Sequence, residues 1–145
     1  MKIFLALAIG LTAGLLLTSA VETSAASYFD HDSVASKLAK GGQILKTSTY
    51  AVSGSHRDKA GQVEVHDKET DILYVTDGAA TFSTGGTMVG GKDTSPGQHL
   101  GTDMRGGETH NLTRGDVVVV PAGTPHWFRN VPDHVSYFVV KVIQP

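Results

Sequence analysis

"GDVVVVPAGTPHWFRN" (residues 115–130) reads as two β-strands joined by a tight turn. Gly115-Asp116 opens the first strand at a turn that Asp116 serves. Val117 to Val120 then form a continuous apolar run, the pattern expected of a strand buried on both faces. Pro121 ends the pairing, because it has no N–H to give to a ladder. Ala122-Gly123 turns the chain, and His126 begins the second strand with Trp127 and Phe128. A histidine just past a tight turn has its backbone fixed, which aims its side chain. Alternation sets Phe128 on the same face, as barrel core and pocket wall.

Working outward, "VEVHDKETDILYVTDG" (63–78) supplies polar groups that could share a site with His126. In 62–66, Glu64 and His66 fall on one face, with Val63 and Val65 on the other. Residues 71–76 form the next strand and bring in Asp71. Asp77-Gly78 is a hairpin signal, with 79–84 as the partner strand. A lone histidine on an apolar strand is ordinarily a hydrogen-bonded core residue. That reading weakens when His66, His126, Glu64 and Asp71 share one interior. Two buried carboxylates without a cation are costly, and a divalent metal would relieve that cost.

The remaining segments are short. Residues 30–42 predict a packing helix capped by Asp32 or Ser33, with Val34, Ala35, Leu38 and Ala39 on its apolar side and Gly41-Gly42 as its stop. Strand-like runs follow at 43–55 and 136–143. Glycine pairs at 85–86, 90–91 and 106–107 mark turns between short strands or a rim loop. Many short strands with Gly-rich turns indicate an all-β, closed sandwich or barrel.

Composition narrows the chemistry. The 145 residues suit one domain, with a formal net charge of −2 that gives no basic surface for nucleic acid. There is no cysteine, so disulfides, thiolate metal sites and cysteine nucleophiles are excluded. A metal site would have to draw on the seven histidines and the carboxylates. Residues 1–26 have the layout of a secretory signal peptide: Lys2, an apolar run over 3–17, then small residues with cleavage expected after Ala20 or Ala26. The apolar run falls short of the ~20 residues of a spanning helix. Residues 27–145 would then be the working domain, secreted or periplasmic, with no stable membrane anchor after processing.

Two spacings together resemble the small single-domain cupins, of the type-2 conserved-barrel kind. The family's second pattern (Gly, five residues, Pro, one, Gly, two, His, three, Asn) is met in full by Gly115, Pro121, Gly123, His126 and Asn130. In the first pattern, Glu64 stands where the family has a histidine, His66 is the second histidine, Asp71 replaces the glutamate and Gly78 is the closing glycine. The leading glycine is displaced, with Asp58 in its place and Gly61 later.

The resemblance implies an antiparallel jelly-roll β-barrel, here with a short N-terminal helix. It also implies one divalent metal (Mn, Fe, Zn or Ni) near a barrel mouth, and a small-molecule substrate or ligand. Two ligand sets follow for this chain. In one, Glu64, His66, Asp71 and His126 all bind, and two carboxylates favour harder ions such as Mn²⁺ or Fe²⁺. In the other, His66, Asp71 and His126 bind, and Glu64 is free as a catalytic general base.

Tyr50, His56 and Phe128 are expected to line the pocket, with surface or packing roles as the alternative for the first two. Arg57 could pair with Glu64 or a substrate carboxylate, with a solvated charge as the default reading, and His99 and His110 read as solvent-facing. The function expected is a secreted metal-binding cupin, working as a dioxygenase, isomerase or lyase on a small molecule. The alternative is a non-catalytic secreted metal- or small-ligand-binding module; a metal-free scaffold is a third reading. A homodimer is compatible with the family's barrels.

Overall fold

Strand β4 (Glu69–Thr84) organises the molecule, because its sixteen residues run from one sheet into the other. The computed structural model describes residues 25–145; the proposed signal-peptide segment lies almost wholly outside them. Around β4 the other elements are α1 (His31–Lys40), β1 (Gly42–Lys46), β2 (Tyr50–Arg57), β3 (Val63–His66), β5 (Thr87–Val89), β6 (Lys92–Ser95), β7 (Gln98–Gly101), β8 (Asp103–Arg105), β9 (Glu108–Thr113), β10 (Val117–Val120), β11 (His126–Asn130) and β12 (Val135–Ile143).

The first half of β4 pairs antiparallel with β12 and β10, and β12 continues through β2 to β1. The second half pairs with β9 and β11, and β11 continues through β3 and β7 to β6. Strands β5 and β8 form a separate ribbon over the Gly-rich segment. The result is a curled all-β jelly roll with one short helix.

The expected hairpin at Asp77-Gly78 does not form. The chain continues through this dipeptide as one strand, with a bulge opposite Ser136 and Tyr137. The reason lies in the side-chain period. The core side takes Asp71, Leu73 and Val75 before the bulge, then Ala80 and Phe82 after it, while Ser83, also buried, bonds the Thr109 hydroxyl. That change from odd to even needs one extra residue, since strand side chains alternate strictly. Gly78 takes φ 74°, and a Cβ there would lie 2.1 Å from the His134 carbonyl oxygen. Here Asp-Gly bends a strand from one sheet to the other.

Between the two sheets lies a core that includes Leu73, Val75, Phe82, Leu112, Val120, Phe128 and Tyr137. Phe82 meets Phe128 edge-on at 4.9 Å, and Phe128 stacks on Tyr137 at 5.0 Å. The valine run departs from expectation. β10 pairs only with β4, so Val118 and Val120 point inward while Val117 and Val119 stay 60% and 58% exposed. Four apolar residues in a row therefore signal an edge strand, not one buried on both faces.

Helix α1 is capped by Asp30, two or three residues earlier than Asp32 or Ser33 would place it, because its carboxylate accepts from the Ser33 N–H at 2.9 Å. The helix rests on β2 where Gly54 leaves room: a Cβ there would lie 2.6 Å from the Lys37 backbone. Among the described residues, no helix is long and apolar enough to cross a membrane.

Candidate metal centre

The mouth of the barrel collects polar side chains from five strands, each placed there by the two-residue period. β3 contributes Glu64 and His66, β4 contributes Glu69 and Asp71, and β11 contributes His126. β2 adds Ser55 and Arg57, and β12 adds Tyr137 and Lys141. They line, or lie beside, a cavity of about 160 Å³ closed on its apolar side by Leu73, Phe128 and Val139.

The imidazoles are held in matching orientations. His126 Nδ1 lies 3.1 Å from the Thr124 carbonyl oxygen, and that oxygen can only accept. His66 Nδ1 meets the Gln98 side-chain oxygen, again an acceptor. Each ring therefore carries its proton on Nδ1 and turns a bare Nε2 inward. The turn before His126 is tied to the same place, since Gly123 (φ 77°) donates its N–H to the His66 carbonyl at 2.8 Å. The rings stand 5.1 Å apart and tilted by 58°.

Carboxylate oxygens complete the group. His66 Nε2 lies 3.7 Å from Glu64 Oε2 and 3.6 Å from Asp71 Oδ2, and His126 Nε2 lies 3.9 Å from that same Asp71 oxygen. His66 Nε2 is fully buried and has no hydrogen-bond partner. Burial lowers the His126 pKa, although the Thr124 carbonyl and the two carboxylates pull the other way. That ring is neutral, as a metal ligand must be.

The carboxylates are not left without cations, contrary to the sequence argument. Arg57 Nη2 donates to Glu64 Oε1 at 2.9 Å, and Arg57 Nε donates to the Tyr137 hydroxyl oxygen at 3.0 Å. Its guanidinium also lies over the Phe128 ring at 4.8 Å, so Arg57 is a paired, half-buried wall residue and not a solvated charge. Lys141 Nζ donates to both oxygens of Asp71, at 2.8 and 3.0 Å, and reaches Glu69 at 3.0 Å. Burial works against the Glu69 carboxylate, but the hydrogen bond and charge of Lys141 act the other way, and its pKa is lowered.

Glu64, His66, Asp71 and His126 thus meet in one place, with Phe128 beside them. Tyr50 and His56 do not: both sit on the outward face of β2, where Tyr50 is exposed and His56 bonds Ser136. His110 is exposed, whereas His99 is half-buried between Asp93 and Asp67, at 2.7 and 2.9 Å. Lys141, Glu69, Gln98, Ser55 and Tyr137 were not foreseen. Alternation alone puts Glu69 with Asp71, and Tyr137 with Lys141. The Lys141–Asp71 pair needs the register of β12 on β4, where the two lie directly opposite.

The cupin family model matches residues 34–145. Among curated proteins no match is found. Among solved structures the chain is similar to KdgF from Halomonas sp., with TM-score 0.52 and 17% identity over 72% of this chain and 79% of that one. It is likewise similar to BH2720 from Bacillus halodurans, with TM-score 0.52 and 14% identity over 71% and 69%. Peruvianin-I, a cysteine peptidase from Thevetia peruviana latex, matches at TM-score 0.45 and 14% identity over 67% of this chain, which spans only 52% of that longer protein. At these identities the likeness concerns the fold alone.

Proposed function

The chain belongs to the cupin family, and on that premise we propose that it is an exported, metal-dependent enzyme acting on a small molecule. The observation that carries this reading is the orphaned, fully buried His66 Nε2, facing an unprotonated His126 Nε2 and oxygens of Glu64 and Asp71. Since Arg57 and Lys141 already pair with Glu64 and Asp71, the carboxylates are not what calls for a metal here. The bare imidazole nitrogens are, because a buried lone pair without a partner is costly.

His66, His126 and Glu64 would hold one divalent ion, with Asp71 completing the set through the oxygen nearest both rings. Two imidazoles and two carboxylates suit Mn²⁺ or Fe²⁺. When bound, such an ion supplies Lewis acidity and an open coordination position. The protein's own groups do the rest. Gln98 and Thr124 fix the two tautomers, Arg57 and Lys141 pair with the two carboxylates and orient them, and Leu73, Phe128 and Val139 limit water. Where Glu64 leaves the ion, its Oε2 is placed to take a proton from a ligand in the cavity.

The test is elemental analysis of the protein recovered from its native compartment, beside His126→Ala. About one equivalent of metal, lost in the variant, is expected; metal-free native protein that binds no Mn²⁺ or Fe²⁺ on titration would sink the proposal. A second reading, a binding module without turnover, is favoured by the small cavity and its fully paired carboxylates. Turnover in a substrate and O₂-uptake screen decides between them.

A further inference from the structure

We infer that the cavity seats a small monoanion of the short-chain carboxylate kind, held by Arg57, Tyr137 and Ser55 next to the metal. The inference rests on the metal reading above and names the ligand class for that site. Charge comes first. Around the cavity two cations, Arg57 and Lys141, face three carboxylates, Glu64, Glu69 and Asp71. Two cations against three carboxylates leave one negative charge, and a divalent ion bound among them would turn it into one positive charge. A net charge of plus one in a half-closed site calls for a single anion.

Hydrogen bonding points the same way. With the metal in place the carboxylates would be engaged by it and by the two cations, so the unused polar capacity of the wall is donor capacity. Arg57 has five N–H groups and spends one on Tyr137 and one on Glu64. The Tyr137 hydroxyl oxygen takes the Arg57 Nε–H, which leaves its own O–H to donate. Among the described residues the Ser55 hydroxyl makes no side-chain hydrogen bond, and it lines the same cavity. A ligand there must bring acceptors. Leu73, Phe128 and Val139 offer it an apolar side, and about 160 Å³ corresponds to roughly five water volumes. A carboxylate with a short hydrocarbon tail satisfies both walls.

The experiment is calorimetric titration of the whole protein, loaded with Mn²⁺ or metal-free, with acetate and propionate against acetamide. Metal uptake is measured first and separately. The carboxylates are expected to bind the loaded protein about tenfold or more tighter than the metal-free form, with acetamide binding at neither. Tyr137→Phe should weaken carboxylate binding about tenfold while leaving Mn²⁺ affinity within about twofold, since it keeps the buried ring and touches no proposed ligand; Arg57→Lys should weaken carboxylate binding about tenfold as well.

Failure to take up Mn²⁺ or any other divalent ion overturns the metal reading, and with it the charge balance used here. Normal metal uptake with acetate and acetamide binding alike, or with carboxylate affinity unchanged in both variants, overturns this inference alone.

Discussion

The cavity has two charged walls built from the same elements of chemistry, a carboxylate held by a cation, yet they are held differently. On the β2–β3 wall, Arg57 and Glu64 are each about a quarter exposed and meet through one oxygen, leaving Glu64 Oε2 unclaimed. On the β4–β12 wall, Asp71 is only 7% exposed, and both its oxygens are taken by Lys141. The first wall is adjustable and has spare donors and a spare acceptor. The second is a saturated network running from Asp71 through Lys141 and Glu69 to Gln98 and His66. Burial assigns the roles: the second wall is scaffold, the first is working surface.

Stability measurements would break this contrast most sharply. Lys141→Met strands a buried carboxylate and is expected to cost about 3 kcal/mol in chemical denaturation. Arg57→Met leaves Glu64 within reach of water and should cost about 1 kcal/mol or less. Adding Asp71→Leu to Lys141→Met should recover most of the first loss, because the pair is then replaced and not merely broken. Equal losses in the two single variants would show the walls to be energetically alike.

Metal affinity sharpens the same contrast from the other side. Glu64→Gln should weaken Mn²⁺ binding about a hundredfold, and Asp71→Asn about tenfold, since Asp71 shares its oxygens with Lys141. The reverse order would move the principal carboxylate ligand to the second wall. Gln98→Leu takes away the acceptor at His66 Nδ1 and should cost about tenfold, read by the same titration, with no loss of native circular dichroism.

Much of the first wall was legible in the sequence, and much of the second was not. Glu64 and His66 are two residues apart on one strand, and His126 sits at a fixed offset from a turn, so local period and spacing reveal all three. Asp71 could be placed by spacing, but its environment could not. Lys141 is seventy residues away and becomes its neighbour only through β12 register. Gln98 reaches the site from a Gly-rich segment whose strands carry little hydrophobic period. The hairpin misreading at Asp77-Gly78 has a similar origin. A left-handed glycine serves a turn and a bulge equally well, and only the partner strand decides between them. The valine run erred the other way, because continuous apolar character cannot distinguish a doubly buried strand from an edge strand with an uncovered face.

The smallest predicted effect concerns what positions Gln98. His99, its chain neighbour on β7, is gripped by Asp93 on one ring nitrogen and Asp67 on the other, and Asp67 also donates its N–H to the Gly97 carbonyl. The hydrogen bonds that His99 donates to Asp93 and Asp67 raise its pKa above the ordinary 6.5. A raised histidine contributes its stabilisation fully below the unfolded value, and loses it as pH climbs through the folded one. The β6–β7 hairpin should therefore be most protected near pH 6 and less so near pH 8, by amide exchange corrected for intrinsic rates. In His99→Gln that difference should vanish. Protection that rises with pH in the unsubstituted protein would mean that the histidine is not the clamp.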